Sequence, residues 1–224
     1  MDASGSCGRY FLSCGTNPLS AKHNTPMSRR KQVDISPLVQ FLNSIHPLTS
    51  EVEDYIQANC HAIRVKRGEH LLKAGEICDK YYFVMKGLLR AYIIFGNKEI
   101  TTWMNTENQL VTSIRSMSNQ EPAKESIQAV EDAELVVIPY ATLAYLYENS
   151  VEINVIGRVI LQVYYADAEA RAFISRIPNA EMRYQHFIES RPDLVNRAPL
   201  KYIASYLGMT EETLSRLRSK KKKA

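Results

Sequence analysis

Apolar and polar positions change their period twice along the chain. Between Ser36 and Asn59 the apolar residues recur at helical spacing, which predicts two short amphipathic helices, Ser36–Ser44 and Ser50–Asn59. Ser50 followed by Glu53 fits a capping box opening the second. From about Ala62 to Pro139 short β-branched and aromatic runs take over: Ile63–Lys66, His70–Lys73, Tyr81–Lys86, Leu88–Phe95, Ile100–Met104, Leu110–Ile114, Ser126–Val130 and Glu134–Ile138. Leu89, Ala91 and Ile93 alternate with Arg90, Tyr92 and Ile94, the pattern of a strand with one buried and one mixed face. Four of the nine glycines (Gly68, Gly75, Gly87 and Gly96) fall within 29 residues and punctuate these runs. Eight short strands separated by turn residues predict an antiparallel sandwich or barrel.

After Pro139 helical periodicity returns, first over Tyr140–Glu148 and then over Val151–Arg176. In the longer helix Ile153, Ile156, Ile160, Val163, Asp167, Ala170, Ile174 and Ile177 follow a 3-4-3-4-3-4-3 spacing, an a/d seam broken by one acid. Such a stripe packs either on the chain's own barrel or, as the sharper expectation, along a second copy in a parallel dimer, over about 35 Å of helix. Asp167 would be costly in a dry seam, so it is expected at a wet point, in a cross-dimer pair, or facing a ligand.

The segment Leu200–Arg218 has the spacing of a helix-turn-helix. Ala204 is small where a second helix crosses it, and Gly208 supplies a left-handed turn. Ile203, Leu207, Met209, Leu214 and Leu217 knit the two helices together. Thr210 can cap the second helix, with Glu211 and Glu212 in its first turn. If that helix enters a major groove, Thr210, Glu211, Glu212, Ser215 and Arg216 meet base edges. A bidentate Arg216 to guanine, or Glu212 accepting from cytosine or orienting Arg216, is worth about 1 to 3 kcal/mol of discrimination. Lys201, Arg218 and the run beginning Lys220 and Lys221 are placed for phosphates, which give affinity without sequence choice.

Charge supports this division. From Asn179 onward there are ten Lys/Arg against five Asp/Glu, whereas the rest of the chain holds 18 against 19, so a basic module follows a near-neutral body. An anionic partner is implied, with double-stranded DNA first. Residues 1–32 are rich in Gly, Ser and Asn without periodicity and are read as a disordered leader, with Met27 an alternative start. Phe11-Leu12-Ser13-Cys14 only faintly resembles a lipidation box. No apolar run approaches the roughly 18 to 20 residues of a membrane span, and Cys7, Cys14, Cys60 and Cys78 are too scattered for a disulfide framework, so a cytoplasmic location without membrane contact is expected.

The Gly-punctuated β segment, the long helix and the C-terminal helix-turn-helix together resemble the Crp/Fnr family of bacterial transcription regulators over about residues 36–219. The matching segments are Lys66-Arg67-Gly68-Glu69, Ala74-Gly75-Glu76, Tyr82–Gly87 and Thr210–Arg216. The resemblance implies an α+β fold: an antiparallel β-roll of the double-stranded β-helix or jelly-roll type, a long dimerisation helix, and a helix-turn-helix domain. The wing that usually follows the recognition helix is expected to be truncated or absent. The expected boundaries are a sensor at 33–150, the dimer helix at 151–177 and the reader at 178–224. The family further implies a homodimer on a two-fold symmetric operator, an effector in the roll, and recruitment or blocking of RNA polymerase.

Members that bind cyclic AMP use Gly-Glu for the ribose and Arg-Ser/Thr for the cyclic phosphate. Here Thr112-Ser113 and Glu125-Ser126 occupy those places, and a carboxylate facing the phosphate is repulsive. Arg115 or Lys124 could substitute only by reaching in from elsewhere. Cyclic AMP is therefore not the expected effector, and the pocket takes another ligand or none, with Tyr164 and Asp167 as its far wall. No cofactor is expected: the cysteines lack the tight cluster of iron–sulfur members. Two other readings stay open. A cupin-type metal enzyme needs grouped histidines, but His23, His46, His61, His70 and His186 are dispersed, with only His61 and His70 near strands. A dimeric scaffold that does not bind DNA is the other.

Overall fold

The computed structural model describes residues 34–221. The leader with Cys7, Cys14 and Met27 lies outside the described residues, as does the side chain of Lys221. The elements run α1 (Ser36–Ile45), α2 (Ser50–Asn59), β1 (His61–Val65), β2 (His70–Leu72), β3 (Lys80–Lys86), β4 (Leu89–Phe95), β5 (Lys98–Asn105), β6 (Leu110–Val111), α3 (Ile114–Asn119), β7 (Glu125–Ala129), β8 (Ala133–Pro139), α4 (Tyr140–Asn149), α5 (Val151–Arg176), α6 (Ala180–Ser190), α7 (Pro192–Val195), α8 (Leu200–Tyr206) and α9 (Glu211–Lys221). The eight strands form two four-stranded antiparallel sheets, ordered β1-β8-β3-β6 and β2-β7-β4-β5. This is the expected β-roll, followed by a helical C-terminal module.

Three cores hold the fold. Between the sheets lie Leu72, Val84, Leu89, Ala91, Ile127 and Leu135. The outer face of the β3/β8 sheet, through Phe83, Val136 and Ile138, is covered by Leu38 of α1, Ile56 of α2, Leu146 of α4 and Ile153 and Ile156 of α5. The third core joins Leu88, Met104 and Val130 of the roll to Ile174, Tyr184, Phe187, Leu194, Ile203 and Leu214. Gly87 is required where β3 turns into β4: its φ is +114°, and an added Cβ would stand 2.7 Å from the Ala133 Cβ.

Four expectations need correction. Thr49, not Ser50, is the N-cap of α2, and Glu53 accepts from the Asn43 amide at 2.6 Å instead of closing a capping box. The run Leu110–Ile114 is strand only to Val111; helix α3 begins at Ile114, too short for periodicity to reveal. Arg90 and Tyr92 do not lie on a mixed face, because the C-terminal module covers that side and leaves them 2% and 7% exposed. The a/d stripe of α5 is not one continuous outward seam. Ile153, Ile156 and Ile160 pack into the second core and Ile174 into the third. Val163 and Ala170 are exposed, while Asp167 and Ile177 are half-buried. Full burial of an Ile is worth about 1.5 to 3 kcal/mol, a gain the chain collects within itself.

Candidate nucleic-acid interface and effector cavity

The reader module is built on α8 and α9. Ile203 and Ala204 are 1% exposed, Leu207 2% and Leu214 0%, so the inward faces of both helices are fully used. Gly208, with φ +62°, makes the turn between them. The Thr210 hydroxyl accepts from the Thr213 amide at 3.2 Å, satisfying one of the otherwise unpaired N–H groups that open α9. The Glu212 carboxyl is held below its usual range by backbone amide bonding at the helix start and by the Thr210 hydroxyl. Thr210, Glu211, Glu212, Ser215 and Arg216 are all exposed, and the last four share the outward face of α9.

The four residues expected at phosphates are placed unequally. Lys201 is exposed, its ammonium 5.0 Å from the centre of the Tyr202 ring. Arg218 instead turns inward and donates to the Val195 carbonyl at 3.0 Å, fastening α9 to α7. Lys220 pairs with Glu181 at 3.1 Å across the surface. That exposed pair is worth at most about 1 kcal/mol, so a phosphate can compete for the ammonium. Lys221 falls outside the described side chains.

A set of arginines docks the reader on the roll. The Arg90 guanidinium lies between two rings, 4.2 Å from the centre of Tyr92 on its own strand and 3.7 Å from that of Tyr202 on α8. It also donates to Gln128 and to Glu99. Arg197 spans the junction, with Nη1 and Nη2 donating to the two Glu107 oxygens at 2.7 and 2.6 Å and Nε reaching Glu131 at 2.9 Å. Arg197 holds the Glu107 carboxyl down to about 2, helped by the Gly87 amide. Arg191 donates to the Met104 carbonyl, and the Ser205 hydroxyl bridges the Glu99 carbonyl and the Thr101 amide. These contacts were invisible to sequence reading, since only the fold brings Arg90 under Tyr202.

The residues expected to form an effector pocket are divided by the fold. Ser113, 1% exposed, donates to Glu125 at 2.6 Å; Ser126 accepts from the Ala74 amide at 3.0 Å; Arg115 is tied to Glu121 on the surface. None of these four borders the cavity formed by the other three. Thr112, Tyr164 and Asp167 do: they border a space of about 270 Å³ between the outer face of the β3/β8 sheet, helices α1, α2 and α4, and α5. Thr112 donates to the Lys80 carbonyl. The Tyr164 hydroxyl both donates to the Leu110 carbonyl and accepts from its amide, clasping α5 to β6, and burial pushes it up to about 12. Asp167 pairs with Arg171 one turn on, so the acid in the stripe is satisfied within its own helix.

Aliphatic side chains make up most of the cavity wall, among them Leu38, Leu42, Ile56 and Leu146. The Cys60 thiol faces it, with burial pushing it up to about 11 and keeping it neutral. Gly157, in the second turn of α5, is explained here. An added Cβ would stand 2.5 Å from the Tyr147 hydroxyl and 2.7 Å from its ring, so the glycine lets that ring lie across the helix as part of the wall. Of the histidines near strands, His61 is exposed and His70 bonds the Tyr92 hydroxyl at 2.9 Å. Among the described residues no three His, Cys, Asp or Glu are grouped to hold a metal, and no helix is long and apolar enough to cross a membrane.

The family model of the cyclic nucleotide-binding domain matches residues 62–150. A curated relative, the fumarate and nitrate reduction regulatory protein of Vibrio cholerae, is 27% identical over 167 residues, covering 68% of this chain but only 65% of its own length. Among solved structures, FixK2 of Bradyrhizobium japonicum superposes with a TM-score of 0.62 at 16% identity, over 72% of this chain and 83% of that one. A protein of Eubacterium rectale described as a regulator of the crp/fnr family gives 0.64 at 18%, over 80% and 85%. The c-di-GMP responsive regulator CLP of Xanthomonas campestris gives 0.60 at 16%, over 78% and 92%. At such identities the solved structures share the fold.

Proposed function

We propose that this chain is a member of the Crp/Fnr family of transcriptional regulators, a homodimeric, sequence-specific DNA-binding regulator whose effector is not cyclic AMP. The observation that carries the reading is the outward face of α9. Glu211, Glu212, Ser215 and Arg216 stand exposed on one side of a helix whose other side is sealed into the third core. A helix so presented puts its N-terminal side chains into a major groove, with Arg216 reading guanine and Lys201 and Lys220 on phosphates. Its partners are double-stranded DNA, a second copy of the chain and, as for the family, RNA polymerase. We assign it no enzymatic activity, no cofactor and a cytoplasmic place beside its DNA.

The dimer contact moves to a different stripe of α5. Leu161 and Tyr165 are 59% and 76% exposed, and with the exposed Ala168 and Ala172 they follow a 4-3-4 spacing. The small alanines allow a close approach, and two such stripes remove large apolar side chains from water. The effector reading is supported by the closed cassette, where Glu125 holds Ser113 and the Ser126 hydroxyl is taken by a backbone amide.

Fluorescence anisotropy against a library of palindromic duplexes tests the proposal. One duplex family bound in preference to random competitor, with affinity falling steeply as salt rises, is the expected result. Equal affinity for every duplex at low salt would overturn it.

A further inference from the structure

We propose that the cavity bordered by α1, α2, α4, α5, the outer face of the β3/β8 sheet and the end of β5 is a binding site for a neutral, mostly apolar small molecule. This molecule would be about the size of a two-ring aromatic and would carry one hydrogen-bonding group. The site adjoins the cassette between β6 and β7: Thr112 borders it, whereas Ser113, Arg115, Glu125 and Ser126 do not. An apolar cavity of about 150 Å³ stays dry and holds benzene. The volume here, about 270 Å³, suits roughly ten to twelve heavy atoms on the same scale.

Charge is excluded by what the wall offers. Asp167 and Arg171 at the border neutralise each other, Cys60 is held neutral, and the Thr112 and Tyr164 hydroxyls are already bonded to backbone groups. An anion or cation entering would lose its hydration with no free counter-charge to meet it. Polar atoms without a hydrogen-bond partner among the described residues remain on Asn105, Tyr81, Trp103 and Tyr147, and of these residues Asn105 is the most buried. Asn105 at the end of β5 borders the cavity at 7% exposure, and its side-chain amide has no hydrogen-bond partner among the described residues. The amide opens into the cavity with its donor and acceptor unspent, so it is the place where a ligand hydroxyl or amide can bond.

The wall is also placed to sense occupancy. α5 borders the cavity from Ile153 to Arg171 and then delivers Ile174 to the core of the reader module. A ligand seated against α5 therefore presses on the helix that carries the reader. The inference rests on the regulator reading only for this purpose; binding itself is independent of DNA.

Calorimetric titration of the full chain, without DNA, with naphthalene, 1-naphthol and 1-naphthoate separates the contributions, since the three differ by one substituent. 1-Naphthol is expected to bind about tenfold more tightly than naphthalene through Asn105, and naphthoate and cyclic AMP at least about tenfold more weakly than 1-naphthol. Asn105→Leu should erase the preference for 1-naphthol while leaving naphthalene within about twofold. Ile160→Trp, at a half-buried wall position, should abolish both by filling the space; should that variant fail to fold, Asn105→Leu decides alone. No binding by naphthalene or 1-naphthol, tighter binding of naphthoate or cyclic AMP, or a preference for 1-naphthol that survives Asn105→Leu overturns the proposal. Because DNA is absent, these failures are separate from a failure of duplex recognition.

Discussion

Replacing Arg197 by methionine keeps the length of the side chain and removes the guanidinium that joins the reader to the roll. Two carboxylates lose their partner, Glu107 and Glu131, with side chains 32% and 33% exposed. Arg197 depresses the Glu107 carboxyl from an ordinary 4.5 to about 2. At 1.36 kcal/mol per unit that is at most about 3.4 kcal/mol, and solvent screening at one-third exposure reduces it to about 2 kcal/mol. Because the folded value is lowered, this stability is fully present above about pH 4.5 and is lost as pH falls towards 2. Urea denaturation of both proteins at pH 7 and pH 3 is the assay. The variant should be about 2 kcal/mol less stable at pH 7, with the deficit at least halved by pH 3. An equal deficit at both pH values would refute the reasoning, since the loss would then come from packing and not from the ion pair.

Further outcomes follow from other sites. Arg216→Ala should flatten base preference at one operator position by about 1 to 3 kcal/mol in competition anisotropy, with folding unchanged; undiminished preference counts against the assigned contact. Gly87→Ala, forced against Ala133 with φ +114°, should cost about 3 kcal/mol, lowering Tm by roughly 6 to 12 °C, whereas Gly68→Ala, with open space around its Cβ, should lose less. A loss at Gly87 no larger than at Gly68 contradicts the close-approach account. The double variant Leu161→Glu, Tyr165→Glu should run as a monomer in light scattering where the parent runs as a dimer; an unchanged mass removes this stripe from the interface.

The strands and the long helices could be read from pattern alone because their signals are local. α5 begins at Val151 and ends at Arg176, as its periodicity dictates, and Gly208 turns the chain as its lack of a Cβ allows. What covers an apolar position is not local. Ile153 and Ile160 have the same spacing whether a second helix or the chain's own sheet lies against them, so the period located the stripe and misassigned its partner. By alternation Arg90 falls on a mixed face, because nothing in its neighbourhood announces Tyr202, more than a hundred residues later. Charge alone points Arg218 towards DNA, whereas its guanidinium donates to the carbonyl of Val195. At the cassette the substituted residues are legible in the sequence, but the bond from Ser113 to Glu125 and the cavity beneath α1, α2, α4 and α5 depend on how distant segments meet.

The stack of Tyr92, Arg90 and Tyr202 makes sensor and reader poor candidates for exchange. A reader grafted from a relative brings its own first helix, and without an aromatic ring at the place of Tyr202 the guanidinium is left walled in on one side only. Recombination within such a fold then succeeds only when the face of β4 and β5 travels together with α8. The two halves of the molecule are fitted to each other at this one side chain.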